Sequence, residues 1–541
     1  MTQTLRGADL VVRTLTAAGV RYMFTLSGNH IMPVFDATIG SPIELVHVRH
    51  EGAAVHMADA WARLTGEVGI ALVTGGPGHA NAVGALFTAL AAEAPLVLLS
   101  GHAPTDELGL GAFQEMSQAE LARPVVKAAW TSTDAASLGH DLARAIRTAR
   151  SGRPGPVHLS LPSDLLDAVL ADRHGLIPNG PAFLPTLNLP ADADITRVSE
   201  LIAGAERPLL LAGPQFDTRG NRHLLARVAA THDVATAVMA SPRGLNDPSL
   251  GAFASAVADA DLLVLLGKPL DFTLRFGRAP AIAKTCRIVA VEPDAALLDR
   301  AVVTFADRLV HAVPADAVPA AERLATSGPG RPPLRRTAAE ERIAHRPTAW
   351  RSAKAASPGM LHPAEMCDAV AEVMARHPDA ILVADGGEIG QWAQAMIAPS
   401  RRVINGVAGS IGAALPFAIA ARLAAPGSPV VAVLGDGTFG FHMAEIDTAV
   451  RANAPFVAVV GNDARWNAEH QIQLRAYGTA RTVGCDLLPT RYDAVATALG
   501  GRGERVTDRG GLTRALEVAM SADVPTCLNV MIESVAAPVV K

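Results

Sequence analysis

Ten short, almost uninterrupted apolar runs, most bounded by Gly, Pro or Asp, recur along the chain with helical patterns between them. They are GIALVTGG (69–76), PLVLLSGH (95–102), PVHLSLP (156–162), PLLLAGP (208–214), DLLVLLGKP (261–269), RIVAVEPD (287–294), AILVADGG (380–387), PVVAVLGDG (429–437), FVAVVGND (456–463) and CLNVMIE (527–533). A strand apolar on both faces has to be covered on both faces, which is the condition of a parallel strand with crossover helices above and below it. The predicted class is therefore α/β, with doubly wound parallel sheets.

Length sets how many such sheets there are. A chain of 541 residues exceeds one core, and at roughly 150 residues per domain it suggests three or four domains. Two passages break the alternation: the Pro-rich IPNGPAFLPTLNLPAD (177–192) and the polar TSGPGRPPLRRTAAEERIAHRPTAWRSAKAASPG (326–359), whose Pro, Gly and charge content predicts no buried element. Three domains are expected, 1–176, 190–325 and 358–541, with no short-period repeat.

Composition removes several function classes. The net charge is −5 and no basic block occurs, so a nucleic-acid partner is not expected. No window reaches the ~18 apolar residues of a membrane span, and the N-terminal MTQTLRGADL lacks a signal-peptide apolar region, so a cytoplasmic protein is expected. Cys286, Cys367, Cys485 and Cys527 are widely separated without metal-ligand spacing, as suits reduced thiols.

The chemistry concentrates in VLGDGTFGFHMAEIDTAVRANAPFVAVVGND (433–463). Ligands of open parallel sheets bind beyond the carboxyl ends of the strands, so Asp436 and Asp463, each closing a strand, are expected at one site. Gly435 and Gly437 let the backbone approach a ligand, and a helix opening there, with Thr438 in its first turn, offers free N–H groups to phosphate oxygens. Oxygens from Asp436, Asp463 and the Arg465 backbone carbonyl suit Mg²⁺ shared with a diphosphate. A strand followed by Asp-Gly is by itself more often a plain turn. The second strand, ending in Asn462-Asp463, is what sharpens the reading.

GDG followed at this spacing by an Asn-containing turn resembles the diphosphate and metal signature of thiamine diphosphate (ThDP) enzymes, and the chain resembles their acetolactate synthase-like family over nearly its whole length. Relatives there include benzaldehyde lyase, oxalyl-CoA decarboxylase and 2-hydroxyacyl-CoA lyase. The resemblance implies a pyrimidine-binding domain, a Rossmann-like middle domain and a diphosphate-binding domain, in that order. It places Glu51, in HVRHEGAAVHMADAWARLTG (47–66), on the glutamate that bonds N1′ of the aminopyrimidine and tunes the cofactor's own base. It places Gly409, Ser410 and Ile411, in GVAGSIGAALPFAIAA (406–421), in the loop that keeps the cofactor bent, with Ile411 wedged between its rings and the Gly409 carbonyl accepting from N4′. That segment lacks GxGxxG spacing, which disfavours NAD.

TLSGNHIMPVFDA (25–37), TGGPGHANAVGAL (74–86) and GAFQEMSQAEL (111–121) match further segments. Asn29, His30 and Gln114 are thereby expected near C2, bonding the donor carbonyl or its alkoxide, and Asn81 on the pyrimidine side. His79 and His442 read equally well as surface or capping residues, Trp392 and Trp466 as pocket walls or as structural groups. The middle domain binds FAD in some relatives and the ADP portion of CoA in others; here Leu270, Asp271 and Phe272 occupy the corresponding loop without a dense basic cluster, and an empty scaffold is the alternative.

Two departures bear on function. Asp463 stands where the family usually has Asn, and the chain stops at Lys541, leaving little room for the C-terminal lid of acyl-CoA-processing relatives. The expectation is a ThDP- and Mg²⁺-dependent decarboxylase and carboligase acting on a small 2-keto acid, as a homodimer or dimer of dimers with active sites across subunits. The alternatives are a benzaldehyde lyase-like or 2-hydroxyacyl-CoA lyase-like enzyme and, from another class, a non-catalytic ThDP-fold regulator.

Overall fold

The computed structural model of the chain describes residues 4–172, 174–328 and 336–540. Two compact units form, Met1–Thr186 with Ile419–Ala424, and Leu187–Ala418 with Ala425–Lys541.

The first unit is built on a six-stranded parallel sheet in the spatial order Glu44–His47, Tyr22–Thr25, Gly69–Val73, Leu96–His102, Val157–Pro162, Ala128–Thr131. The inner strands Gly69–Val73, Leu96–His102 and Val157–Pro162 are buried at every position, so each of their Val, Leu and Ile side chains contributes about 1.5–3 kcal/mol to the core. Helix Glu51–Thr65 presents Ala53, Ala54, Ala58, Ala60 and Ala62 to this core. Small side chains there allow close packing: a Cβ on Gly69 would lie 2.0 Å from the Ala58 carbonyl oxygen. A short antiparallel pair, Thr4–Arg6 with Val169–Ala171, completes the unit.

The second unit holds two parallel sheets. One has five strands in the order Ala235–Val238, Pro208–Ala212, Leu262–Leu266, Arg287–Val291, Leu309–Val313. The other has six: Arg401–Ile404, Ile381–Ala384, Val430–Gly435, Val457–Asn462, Thr526–Met531, Arg502–Val506. Numbered along the chain, both six-stranded sheets have the order 2-1-3-4-6-5. In each, the direction of winding reverses between strands 1 and 3, which opens a crevice at the carboxyl ends of those strands.

One expectation fails. The passage 326–359 is partly built: Arg336–Ala344 and Thr348–Ser352 are helical, and Trp350 is buried with its ring centroid 5.8 Å from that of Trp392. A single Trp offers enough apolar area to anchor an otherwise polar helix. The stretch 329–335 lies outside the described residues. All four cysteines are free and buried, and among the described residues no helix is long and apolar enough to cross a membrane.

Candidate active site

In the second unit, the strands flanking the reversal deliver polar groups to one cleft. Ile411, Gly435, Asp436, Gly437, Thr438, Asp463 and Arg465 all line it, together with Glu388 and Trp466. Val430–Gly435 runs straight into the short helix Asp436–His442. Gly437 makes room for an aromatic wall, since a Cβ there would fall 2.5 Å from the Trp466 ring. After Val457–Asn462 the chain turns through Ala464 at φ +53°. Buried Asn462 fixes that turn: its Nδ2 donates to the Thr490 carbonyl and to Asn529 Oδ1, each at 3.0 Å, and its Oδ1 accepts from the Ala464 N–H. Asp463 is thereby left facing the cleft.

The electrostatics of the pair are unbalanced. Burial lifts the Asp436 carboxyl to about 6, although backbone N–H groups of Gly437, Arg465 and Ala464 favour its anion. Its Oδ2 meets no hydrogen-bond partner among the described residues. Asp463 is lifted to about 7, by burial first and by the Asp436 charge second, against the Ser534 hydroxyl and Arg465. Two buried carboxyl groups, one raised further by the charge of the other and with an oxygen left over, are short of a positive charge. Their hard oxygen donors suit Mg²⁺ better than a soft metal. Among the described residues no group of three His, Cys, Asp or Glu side chains could hold a metal ion, so the fit rests on two side chains and backbone oxygens.

The loop after Arg401–Ile404 carries Gly409 at φ +70°, Ser410 and Ile411. Asn405 Nδ2 donates to the Ser410 carbonyl at 3.0 Å, and His442 Nδ1 lies 2.7 Å from the Gly412 carbonyl oxygen. Beneath it, Asp385 accepts from the Gly412 and Ala414 N–H groups at 3.0 and 2.9 Å. Asp385 is absent from the sequence-based set, yet AILVAD ends in an acid as VAVLGD does; the same strand-end rule applied to that run points to it.

Glu388, which does line the cleft, is also outside that set. It pairs with Arg243 at 3.3 Å, accepts from the Ala537 N–H at 2.9 Å, and is pushed upward by burial. Val535 also lines the cleft. The segment around it is tied down where Asn467 Nδ2 donates to the Val535 carbonyl and Trp392 Nε1 to the Ala536 carbonyl. Of the two tryptophans considered as walls, Trp466 is one. Trp392 is buried against Trp350 and His362 and supports the cleft from behind.

In the first unit a separate cluster forms. Glu51 opens the helix Glu51–Thr65 behind the N-cap His50, and is 8 % exposed. Asn81 Nδ2 donates to Glu51 Oε2 at 3.1 Å. That bond occupies one carboxyl oxygen; the other, Oε1, lies 3.3 Å from where a Cβ on Gly78 would sit, so any residue larger than glycine there would crowd it. His30, on the 3₁₀ turn Asn29–Ile31, is buried with Nδ1 3.2 Å from Thr74 Oγ1 and its ring stacked on Phe113. Burial holds His30 below the usual histidine range, hence neutral at pH 7. Asn29 beside it is exposed. Gln114 adopts φ +58°, and its carbonyl oxygen lies 2.4 Å from where a Cβ on Gly76 would sit.

His79 is neither a surface nor a capping group. It is fully buried, bonded through Nδ1 to Ser100 Oγ at 2.9 Å, packed on His158, and pushed down to about 4 by burial. Gln118 has no sequence signal, because its partners are remote. It accepts from the Gly76 N–H at 2.8 Å and donates to the Gly101 carbonyl and Ser160 Oγ. In the middle sheet's loop, Lys268 is committed to Asp271 at 2.9 Å, and Asp271 in turn accepts from the Thr273 N–H.

Residues 5–121 match the family described as thiamine pyrophosphate enzyme, N-terminal TPP binding domain; residues 195–313 match its central domain and residues 385–530 its C-terminal TPP binding domain. The chain belongs to the thiamine pyrophosphate enzymes. It is 31 % identical over 557 residues to an acetolactate synthase large subunit of Mycobacterium tuberculosis, covering 99 % of this chain and 97 % of that one. It is 32 % identical over 542 residues to 2-hydroxyacyl-CoA lyase 2 of Homo sapiens, covering 92 % and 84 %. It is 30 % identical over 553 residues to the acetolactate synthase large subunit of Parasynechococcus marenigrum, covering 98 % and 88 %. The protein is a ThDP-dependent enzyme of the acetolactate synthase-like family, related to both synthases and lyases.

Proposed function

We propose that the enzyme is a Mg²⁺-dependent decarboxylase and carboligase of small 2-keto acids. The observation that supports it most is the Asp436–Asp463 pair, a cation-deficient site of oxygen ligands at the mouth of a crevice that also holds Ile411. Asp436, Asp463 and the Arg465 carbonyl would hold Mg²⁺, and the N–H groups around Gly437 and Thr438 the diphosphate. When bound, thiamine diphosphate supplies a carbon nucleophile and an electron sink for cleavage beside a carbonyl.

This chain's residues do the rest. Glu51, steadied through Oε2 by Asn81, holds a proton at Oε1 and shares it with the pyrimidine nitrogen. Ile411 and the Gly409 carbonyl fix the bend. His30, neutral and buried, and Gln114 donate to the oxygen that develops charge on the donor substrate, with exposed Asn29 at the rim. Glu51 belongs to the first unit and Asp436 to the second; in this reading the two face each other between subunits of a homodimer or dimer of dimers.

A small substrate is favoured because the corresponding loop offers only Lys268, Arg275 and Arg278, and Lys268 is already paired with Asp271. The lyase reading is the second one, motivated by the 32 % identity to 2-hydroxyacyl-CoA lyase 2. The test is incubation with ThDP, Mg²⁺ and a panel of 2-keto acids, with released CO₂ and coupled products both measured, beside matched 2-hydroxyacyl-CoA thioesters. At least about tenfold higher kcat/KM for the free acids is expected, about 1.4 kcal/mol in transition-state binding; a preference for the thioester would establish the lyase instead.

A further inference from the structure

We infer that Asp385 is a positioning residue that sets the distance between the diphosphate turn and the loop carrying Gly409 and Ile411. The inference rests on the proposed role of that loop in bending the cofactor.

Asp385 is fully buried and follows the last residue of strand Ile381–Ala384, at the point where the sheet reverses its winding. Its backbone N–H donates to the Val433 carbonyl at 3.1 Å, on the strand that ends in Gly435-Asp436. Its carboxylate accepts from the Gly386, Gly412 and Ala414 N–H groups, at 2.5, 3.0 and 2.9 Å. One residue is thus fastened by its main chain to the diphosphate strand and by its side chain to the far end of the bending loop. Gly386 tightens the same joint, since a Cβ on it would lie 2.8 Å from Thr438 Oγ1 and 3.2 Å from the Gly435 nitrogen.

A buried carboxylate is costly unless its hydrogen bonds are made. Here they are made to three backbone N–H groups on two segments, which favours one position of the loop relative to strand Ile381–Ala384. Ile411 follows Ser410, whose carbonyl is braced by Asn405, and precedes Gly412. Displacing Gly412 therefore moves the wedge relative to an unmoved diphosphate turn. An amide at position 385 would turn an N–H toward one of the N–H groups it now accepts from, and the loop would drift.

The experiment compares wild type, Asp385→Asn, Ala414→Pro and Ile411→Ala, each loaded with ThDP and Mg²⁺. Three quantities are read: the rate of C2–H exchange into deuterated buffer, ThDP affinity by calorimetry, and the thermal unfolding transition. Ala414→Pro deletes one donor to Asp385 at the first position of a helix, where a missing N–H is tolerated.

In Asp385→Asn exchange should slow roughly 10- to 100-fold, as expected for an ångström-scale misplacement, while ThDP affinity changes by less than about threefold. Ala414→Pro should show a smaller loss of exchange in the same sense, and decides alone if Asp385→Asn lacks a cooperative thermal transition. Wild-type exchange in the Asp385 and Ala414 variants with slowed exchange in Ile411→Ala overturns the inference and leaves the loop's role standing. Wild-type exchange in Ile411→Ala removes the reading beneath it. A parallel loss of ThDP affinity and exchange in Asp385→Asn overturns the positioning role in favour of a general one in folding.

Discussion

Replacing Asp463 with Asn should stabilise the apoprotein, and do so only where the native carboxyl is ionised. Raising a carboxyl from 3.8 to about 7 costs about 4 kcal/mol once it is deprotonated, at about 1.4 kcal/mol for each tenfold change. Asp463 is half-buried, so screening by solvent reduces this to about 2 kcal/mol. Because the folded value is the higher one, the native state favours the protonated acid. The penalty is absent below pH ~4, grows as pH rises towards 7, and is complete above it. An amide carries no charge to penalise. The difference in Tm between Asp463→Asn and wild type, measured by scanning calorimetry with chelator present, should therefore widen between pH 5 and pH 8 by roughly 1–2 °C, corresponding to about 1 kcal/mol. Adding Mg²⁺ and ThDP should narrow it again, since a cation supplies the charge that the native pair lacks and displaces the protons they hold. A variant that is less stable than wild type at pH 8, or a gap independent of pH, would refute the account of the pair.

Glu51→Gln keeps shape and its contact with Asn81 but removes the shared proton, so C2–H exchange and turnover should fall by roughly 10²-fold with ThDP affinity retained; wild-type exchange would dismiss the role given to Glu51. Gly437→Ala places a methyl against the Trp466 ring at 2.5 Å, and the overpacking, about 1–3 kcal/mol, should appear as lost ThDP affinity in a fluorescence titration; unchanged affinity would show that the turn has slack. If the active site forms between subunits, specific activity should fall on dilution in step with dimer dissociation seen by sedimentation, and ThDP should oppose both. A fully active monomer would exclude that assembly.

The central strands were legible in the sequence and the outer ones were not, for one reason. Each of the ten apolar runs contains a strand, and each of these strands lies inside its sheet. In the three parallel sheets the strands without such a signal, Glu44–His47, Ala128–Thr131, Ala235–Val238, Leu309–Val313, Arg401–Ile404 and Arg502–Val506, are the edges. An edge strand is half covered and tolerates charge: four of the five residues in Arg502–Val506 are exposed. Only Tyr22–Thr25 is an inner strand without a run of its own. The second-unit site was legible because its groups sit on strand ends, where apolar runs stop at Gly435-Asp436 and Asn462-Asp463. Gln118 was not, because its three partners lie on segments that only the fold brings to it. Trp350 was hidden by the polarity of its neighbours.

The shared 2-1-3-4-6-5 order means that the two six-stranded sheets are one scaffold written twice. Equivalent strand ends can be set side by side: the first leads to Asn29 and His30 in one sheet and to Asp385 in the other, the second to Glu51 and to the Gly409–Ile411 loop, the third to Thr74 and to Asp436. None of these pairs is alike in chemistry. A parallel strand covered on both faces admits few alternatives to Val, Leu and Ile, so the two interiors are alike in kind, while the loops at the rim carry different side chains in each sheet. The likeness is therefore one of connectivity, invisible in the letters because the residues at equivalent strand ends differ.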